Sequence, residues 1–121
     1  MARRRMFSLD VVDTDLFQDM PVSSKYLYFE LGMRADDDGF IASAKRICRF
    51  TGTNDDDLKI LIAKGFVIQF ETGLIVIRDW KVNNQIRSDR YKPTIFSSEA
   101  AQLNLLPNNR YSIEKVIEKL S

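Results

Sequence analysis

Along the chain the apolar positions run first at helical and then, beyond Gly65, at extended spacing. Over residues 23–34, Tyr26, Leu27, Phe29, Leu31 and Met33 make a wide apolar stripe with no breaker before Gly32. With Pro21, Ser23 and Ser24 supplying start and capping chemistry, this pattern predicts a central, mostly buried helix. Asp36-Asp37-Asp38-Gly39 is turn chemistry with a glycine that tolerates positive φ, and Phe40-Ile41 reads as a short extended segment. Ala44, Ile47 and Cys48 recur at i, i+3, i+4 and predict a second helix over 43–50, with Lys45, Arg46 and Arg49 outward and Thr51-Gly52 ending it. A third helix begins at Thr53 or Asn54. Asp55, Asp56 and Asp57 complement its macrodipole, Leu58, Leu61 and Ile62 form its buried face, and Gly65 stands at the C′ position.

Beyond Gly65 the period falls to two. Phe66-Val67-Ile68-Gln69-Phe70 and Leu74-Ile75-Val76-Ile77-Arg78 flank the loop Glu71-Thr72-Gly73, a β-hairpin pattern. Phe40-Ile41 is placed to add a third strand. Helix, short strand, helix, helix, hairpin is the order of a winged helix-turn-helix, so the expected class is mainly α with a small β-hairpin. Residues 80–94 are polar, basic and dotted with aromatics, and their pattern leaves the secondary structure open. Ser97 and Ser98 open a short helix reaching Leu103, and Pro107-Asn108-Asn109 breaks the chain. Ile113, Val116, Ile117 and Leu120 predict a last amphipathic helix over 112–120. The division expected is residues 1–96, a winged-helix domain with an N-terminal arm and a basic post-wing extension, and 97–121, a helical tail.

Composition changes the picture mainly by exclusion. A chain of 121 residues, 45% hydrophobic and 29% charged, is one ordinary globular domain. With no His and a single cysteine, Cys48, it lacks the usual zinc ligands, an imidazole base and the second thiol of a disulfide. Cys48 reads as a small core residue. No apolar stretch approaches a spanning helix, and Met1-Ala2-Arg3-Arg4-Arg5-Met6 lacks a signal-peptide core. A cytoplasmic protein with no cofactor, no metal, no membrane partner and no enzymatic activity is expected. Asp36-Asp37-Asp38-Gly39 departs from a calcium loop, because Lys45 stands where the bidentate Glu belongs, and a tight Asx-type turn accounts for it better.

Net charge is only +1, but it is unevenly spread. Residues 10–19 hold four acids and no base. The bases gather in three blocks: Arg3, Arg4 and Arg5; Lys45, Arg46 and Arg49; and Arg78, Lys81, Arg87, Arg90 and Lys92. Arginines and amides clamp phosphates and read base edges, so Lys81, Asn83, Asn84, Arg87, Arg90 and Lys92 are the leading DNA-contact candidates, with Tyr91 as a stacking aromatic. Their alternative is a structural extension in which Trp80, Ile86 and Tyr91 pack back and Asp89 pairs with an arginine. Lys45, Arg46 and Arg49, joined by Lys59, form either a phosphate-binding face or an ordinary solvated one. Arg3, Arg4 and Arg5 suggest an arm along the DNA backbone. Asp55, Asp56 and Asp57 weigh against docking through the start of the third helix, and Glu71 against minor-groove reading by the hairpin tip.

Several of these segments together carry a family likeness: Arg4-Arg5-Met6-Phe7-Ser8, Asp13-Thr14-Asp15-Leu16-Phe17, Leu31-Gly32-Met33-Arg34-Ala35-Asp36-Asp37-Asp38-Gly39-Phe40, Leu61-Ile62-Ala63-Lys64-Gly65-Phe66-Val67, Asp79-Trp80-Lys81-Val82-Asn83-Asn84 and Asp89-Arg90-Tyr91-Lys92-Pro93-Thr94. In this order, over residues 3–105, the chain resembles the N-terminal domain of phage replisome organizer proteins, related in architecture to DnaD-like primosome proteins. The resemblance implies a winged helix that binds origin DNA, self-association, and a further C-terminal region engaging host helicase-loading proteins. The sequence stops at Ser121, so that downstream region is expected to be missing. Two other classes stay open: a protein-interaction or oligomerisation module of the same fold, and a winged-helix transcriptional regulator with palindromic half-sites.

Overall fold

Short polar caps start the chain's first two elements. The structure, a computed structural model, describes residues 4–113; Arg3 and the expected tail helix from residue 114 onward lie outside them. Ser8 accepts the Asp10 N–H to open α1 (Leu9–Val12), and Thr14 accepts the Phe17 N–H to open α2 (Asp15–Gln18), two single turns in the acidic stretch to which the apolar pattern assigns nothing. Helix α3 (Val22–Arg34) follows Pro21, whose fixed φ suits a helix start. The two serines do not cap it, contrary to expectation. Ser23 and Ser24 instead donate to Asp57 Oδ1 at 2.6 and 3.3 Å.

Next come β1 (Phe40–Ile41), α4 (Ala44–Thr51) and α5 (Asp55–Ala63). Gly52 ends α4 at φ 81°, and Asn54 opens α5 with a reciprocal capping box to Asp57. Strands β2 (Val67–Gln69) and β3 (Ile75–Ile77) form the hairpin. Strand β1 joins its β3 side, giving the antiparallel order β1-β3-β2, with Phe40 opposite Val76 and Val67 opposite Ile77. The hairpin and the third strand are therefore as expected.

The core lies where α3, α4 and α5 meet one another and this sheet. Leu27, Tyr28, Leu31, Leu61, Ile75 and Val76 are completely shielded from solvent, each apolar side chain stabilising the fold by about 1.5–3 kcal/mol. Phe7, Phe17, Tyr28, Phe29 and Phe66 meet edge to face, with centroid separations from 4.9 to 6.1 Å.

After the hairpin, α6 (Trp80–Asn83) buries its tryptophan, and α7 (Ser97–Ala100) is the short helix expected near Ser97, stopping before Leu103. The tail is corrected. Strands β4 (Leu103–Leu105) and β5 (Tyr111–Ile113) make a second antiparallel hairpin, so Ser112 and Ile113 are extended, not helical. Pro107-Asn108-Asn109 is its turn, with Asn109 at φ 66°. The reason lies across the fold: the Tyr111 N–H donates to the Arg78 carbonyl, and its hydroxyl to the Asp38 carbonyl at 2.9 Å. That anchor rewards an extended chain where local periodicity favours a helix. The result is a mixed helix-and-sheet domain with a small antiparallel sheet, and no helix among the described residues is long and apolar enough to cross a membrane.

Candidate nucleic-acid interface

The expected contact residues divide into those used inside the protein and those left in water. Asn83 and Asn84 belong to the first group, at 5% and 4% exposure. Asn83 Oδ1 accepts the Ser8 N–H and its amide donates to the Tyr28 hydroxyl, both at 2.8 Å; Asn84 Oδ1 accepts the Met6 N–H at 2.8 Å. They clamp the N-terminal segment along α6. Base reading by these amides is therefore corrected, because a buried amide with made hydrogen bonds loses them on turning outward. Burial pushes the Tyr28 hydroxyl above its ordinary value, with the Asp79 charge adding and the Asn83 donor opposing.

Arg5 is likewise internal, its side chain 2% exposed. Its guanidinium donates to the Ala35 carbonyl at 2.7 Å and pairs with the fully buried Asp37 at 3.2 Å, while lying 5.3 Å from the centroid of the Trp80 ring. The basic arm loses this member, and Arg4 stays exposed.

The aspartate turn organises this region. Asp36 Oδ1 accepts the Asp38 and Phe40 N–H groups, the expected Asx-type bonding. Gly39 has φ 92°, and a Cβ there would sit 2.7 Å from Trp80 Cγ, so glycine serves both the turn and the packing. The Trp80 indole donates to the Asp37 carbonyl at 2.9 Å. Returning past this turn, the 91–94 segment places the Lys92 N–H on Asp37 Oδ2, the Thr94 hydroxyl on Asp36 Oδ2, and the Tyr91 hydroxyl on the Asp38 carboxylate at 2.7 Å. Burial and the Asp38 carboxylate together push Tyr91 up to about 12. Lys81 is drawn in as well, 3.5 Å from Asp38 and 5.6 Å from the Tyr91 ring centroid. Of the structural alternative for residues 80–94, Trp80 is buried and Asp89 pairs with Arg87 at 3.1 Å, whereas Tyr91 reaches the turn only through its hydroxyl and its ring stays exposed.

Arg87, Arg90 and the Lys92 side chain remain exposed at the edge of this region, and Lys59 is exposed on α5. Helix α4 brings three cations together. Ala44, Ile47 and Cys48 point inward, and burial pushes the Cys48 thiol up, leaving it a core group. Lys45, Arg46 and Arg49 consequently face solvent, and none has an ion-pair partner among the described residues. Lys45 and Arg49 form one wall of an open depression of about 540 Å³, whose other wall is Asn54, Asp55 and Asp56 at the start of α5.

Arg46 lies on the opposite flank of α4. There it borders a second groove of about 400 Å³ with Arg34, Phe50 and Phe96 around a floor of Ala35, Phe40, Ile41 and Ile47. Arg34 pairs with Glu30 and lies 4.7 Å from the Phe50 ring centroid. The Tyr26 hydroxyl, then Arg34, hold the Glu30 carboxyl below its usual range. Arg34, Phe50 and Phe96 are absent from the contact residues the sequence singles out; the one local signal is that Phe50 follows Arg46 by four positions on α4, on the same flank. Comparison with family models, curated proteins and solved structures finds no match to this chain.

Proposed function

We propose that this chain is a non-enzymatic, winged-helix DNA-binding domain of a replication initiator of the phage replisome organizer type, acting in the cytoplasm and docking on duplex DNA through α4. The observation that carries the reading is the exposed trio Lys45, Arg46 and Arg49 on one eight-residue helix that bears no acid. Cations so exposed, Lys45 and Arg49 on one flank and Arg46 on the other, neutralise phosphates at little cost, since no intramolecular ion pair among the described residues has to be broken. The β1-β3-β2 sheet beside α4 and α5 is the arrangement a winged helix requires and supports that fold. The link to replication rests on the ordered set of sequence motifs. Self-association and contact with host helicase-loading proteins follow from the same resemblance.

Arg4, Lys59, Arg87, Arg90 and Lys92 extend the electrostatic footprint, whereas Arg5, Asn83 and Asn84 support the architecture. A second reading, a protein-interaction module, is favoured by one feature: Asp55 and Asp56 are exposed at the helix end that would approach base edges. Fluorescence anisotropy with labelled duplex at several salt concentrations separates the two. On the DNA reading, affinity falls steeply with salt, and the triple variant K45A/R46A/R49A makes the slope of log K against log salt shallower by roughly 2 to 3. Absence of duplex binding at low salt sinks the DNA reading and leaves the interaction module.

A further inference from the structure

The groove bordered by Arg34, Arg46, Phe50 and Phe96 has a composition that a duplex surface does not call for. Phe50 is 56% exposed even with the Arg34 guanidinium against it. Single exposed aromatics are common, but this one stands at the rim of a concave site with an apolar floor: Phe40 and Ile41 are 2% and 3% exposed. At about 400 Å³, the groove falls within the ~300–1,000 Å³ of small-ligand sites.

The charged groups around it are mixed but ordered. Arg34, paired with Glu30, and Arg46, which has no ion-pair partner among the described residues, stand at the rim, and the acid in the lining, Asp36, is held in place by the N–H groups of Asp38 and Phe40 and the Thr94 hydroxyl. Lys45 and Arg49 lie on the other flank of the same helix, where they wall the separate depression facing α5. An exposed aromatic beside two arginines over an apolar floor is what an unpaired base and its backbone require: the ring and floor take the base, the cations take the phosphates. A paired base in a duplex is already stacked and cannot reach such a recess.

From this juxtaposition we infer that the groove between the end of α3, β1 and α4 is a subsite for single-stranded DNA, stacking one unpaired base on Phe50 with flanking phosphates on Arg34 and Arg46. The inference rests on the DNA-binding reading above and adds strand selectivity to it. Melted origin DNA would thus be held by the same helix that docks on the duplex, through its other flank.

The test is anisotropy of a thymidine oligomer and of a duplex against the full chain and its F50L and F50W variants. Because Phe50 is exposed, neither change opens the core. F50L is expected to weaken single-strand binding roughly tenfold while leaving duplex affinity within about twofold, and F50W to restore it, since indole stacks at least as well as phenyl. The F50W fluorescence, read against the one native, buried Trp80, should be quenched by the thymidine oligomer. Unchanged single-strand affinity in F50L overturns the subsite while the DNA reading stands. So does equal weakening of both substrates, or loss of a dimer in F50L by sedimentation, which would make the groove a seat for a second copy. Failure of the native chain to bind either substrate overturns both readings together.

Discussion

Two runs of three aspartates, Asp36-Asp37-Asp38 and Asp55-Asp56-Asp57, have the same composition and opposite physical careers. In the first, every carboxylate is used by distant chain: Asp36 holds Thr94, Asp37 holds Arg5 and the Lys92 N–H, and Asp38 holds Tyr91 and the Thr94 N–H. In the second, only Asp57 is buried, where it closes the capping box with Asn54 and takes Ser23; Asp55 and Asp56 face water. The difference is set by what the backbone allows nearby. A turn ending in Gly39 aims three acids at different stretches of distant chain and lets Trp80 approach, whereas a helix start points them at its own N–H groups and at solvent. The first run is a tertiary hub, the second a local cap beside the cationic face.

The comparison breaks most sharply at Asp37. Its removal leaves the Arg5 guanidinium buried without its counter-charge, and Arg5 Nε and Nη1 already have no hydrogen-bond partner among the described residues. Asp37→Ala should therefore cost about 3–5 kcal/mol, a large part of the ~5–15 kcal/mol of a typical domain. Urea denaturation measures it. In the double variant R5M/D37A the loss should be clearly smaller than the two single losses combined, because no unpaired charge remains. Additive losses would mean that the turn does not depend on Arg5.

Asp57→Ala comes next, at about 1–2 kcal/mol. It removes one half of the capping box and the acceptor for both serines of α3. Ser23→Ala and Ser24→Ala should each reproduce part of the loss, and in the Asp57→Ala background Ser23→Ala should become neutral while Ser24→Ala still costs its bond to the Asp57 carbonyl at 3.3 Å. A loss as large as that of Asp37→Ala would erase the distinction between hub and cap.

How legible these roles are in the sequence follows from the range of their interactions. The turn at Asp36, the caps at Asn54 and Gly52, the inward face of α4 and the β2-β3 hairpin all rest on residues within a few positions of one another, and turn and capping chemistry together with the apolar pattern place each. The burial of Arg5, Asn83 and Asn84 rests on partners tens of residues away, and side-chain chemistry alone marks such groups as surface contacts. The same holds for β5, where Tyr111 finds Asp38 and Arg78 across the fold and overrides a helical period. Of the candidate interface, the α4 trio is legible because amphipathic spacing fixes its direction. The Phe50 groove is not, since its walls come from three separate elements.

The smallest stability effect, and the one most telling for function, belongs to Asp55 and Asp56. Both lie outside the capping box, so D55N/D56N removes only their complement to the dipole of α5, about 0.3–1 kcal/mol each at low salt and less when screened. Their electrostatic reach extends further than their stabilising role. They face Lys45 and Arg49 across the open depression and lower the positive potential that an incoming phosphate meets there. If α4 docks on DNA, neutralising them should raise duplex affinity roughly two- to tenfold at low salt, with the gain fading as salt rises through the physiological range. Anisotropy on the folded variant, its melting temperature checked alongside, reads both quantities. An unchanged duplex affinity would place the docking face away from the α4–α5 corner and turn the acidic helix start into evidence for a protein partner.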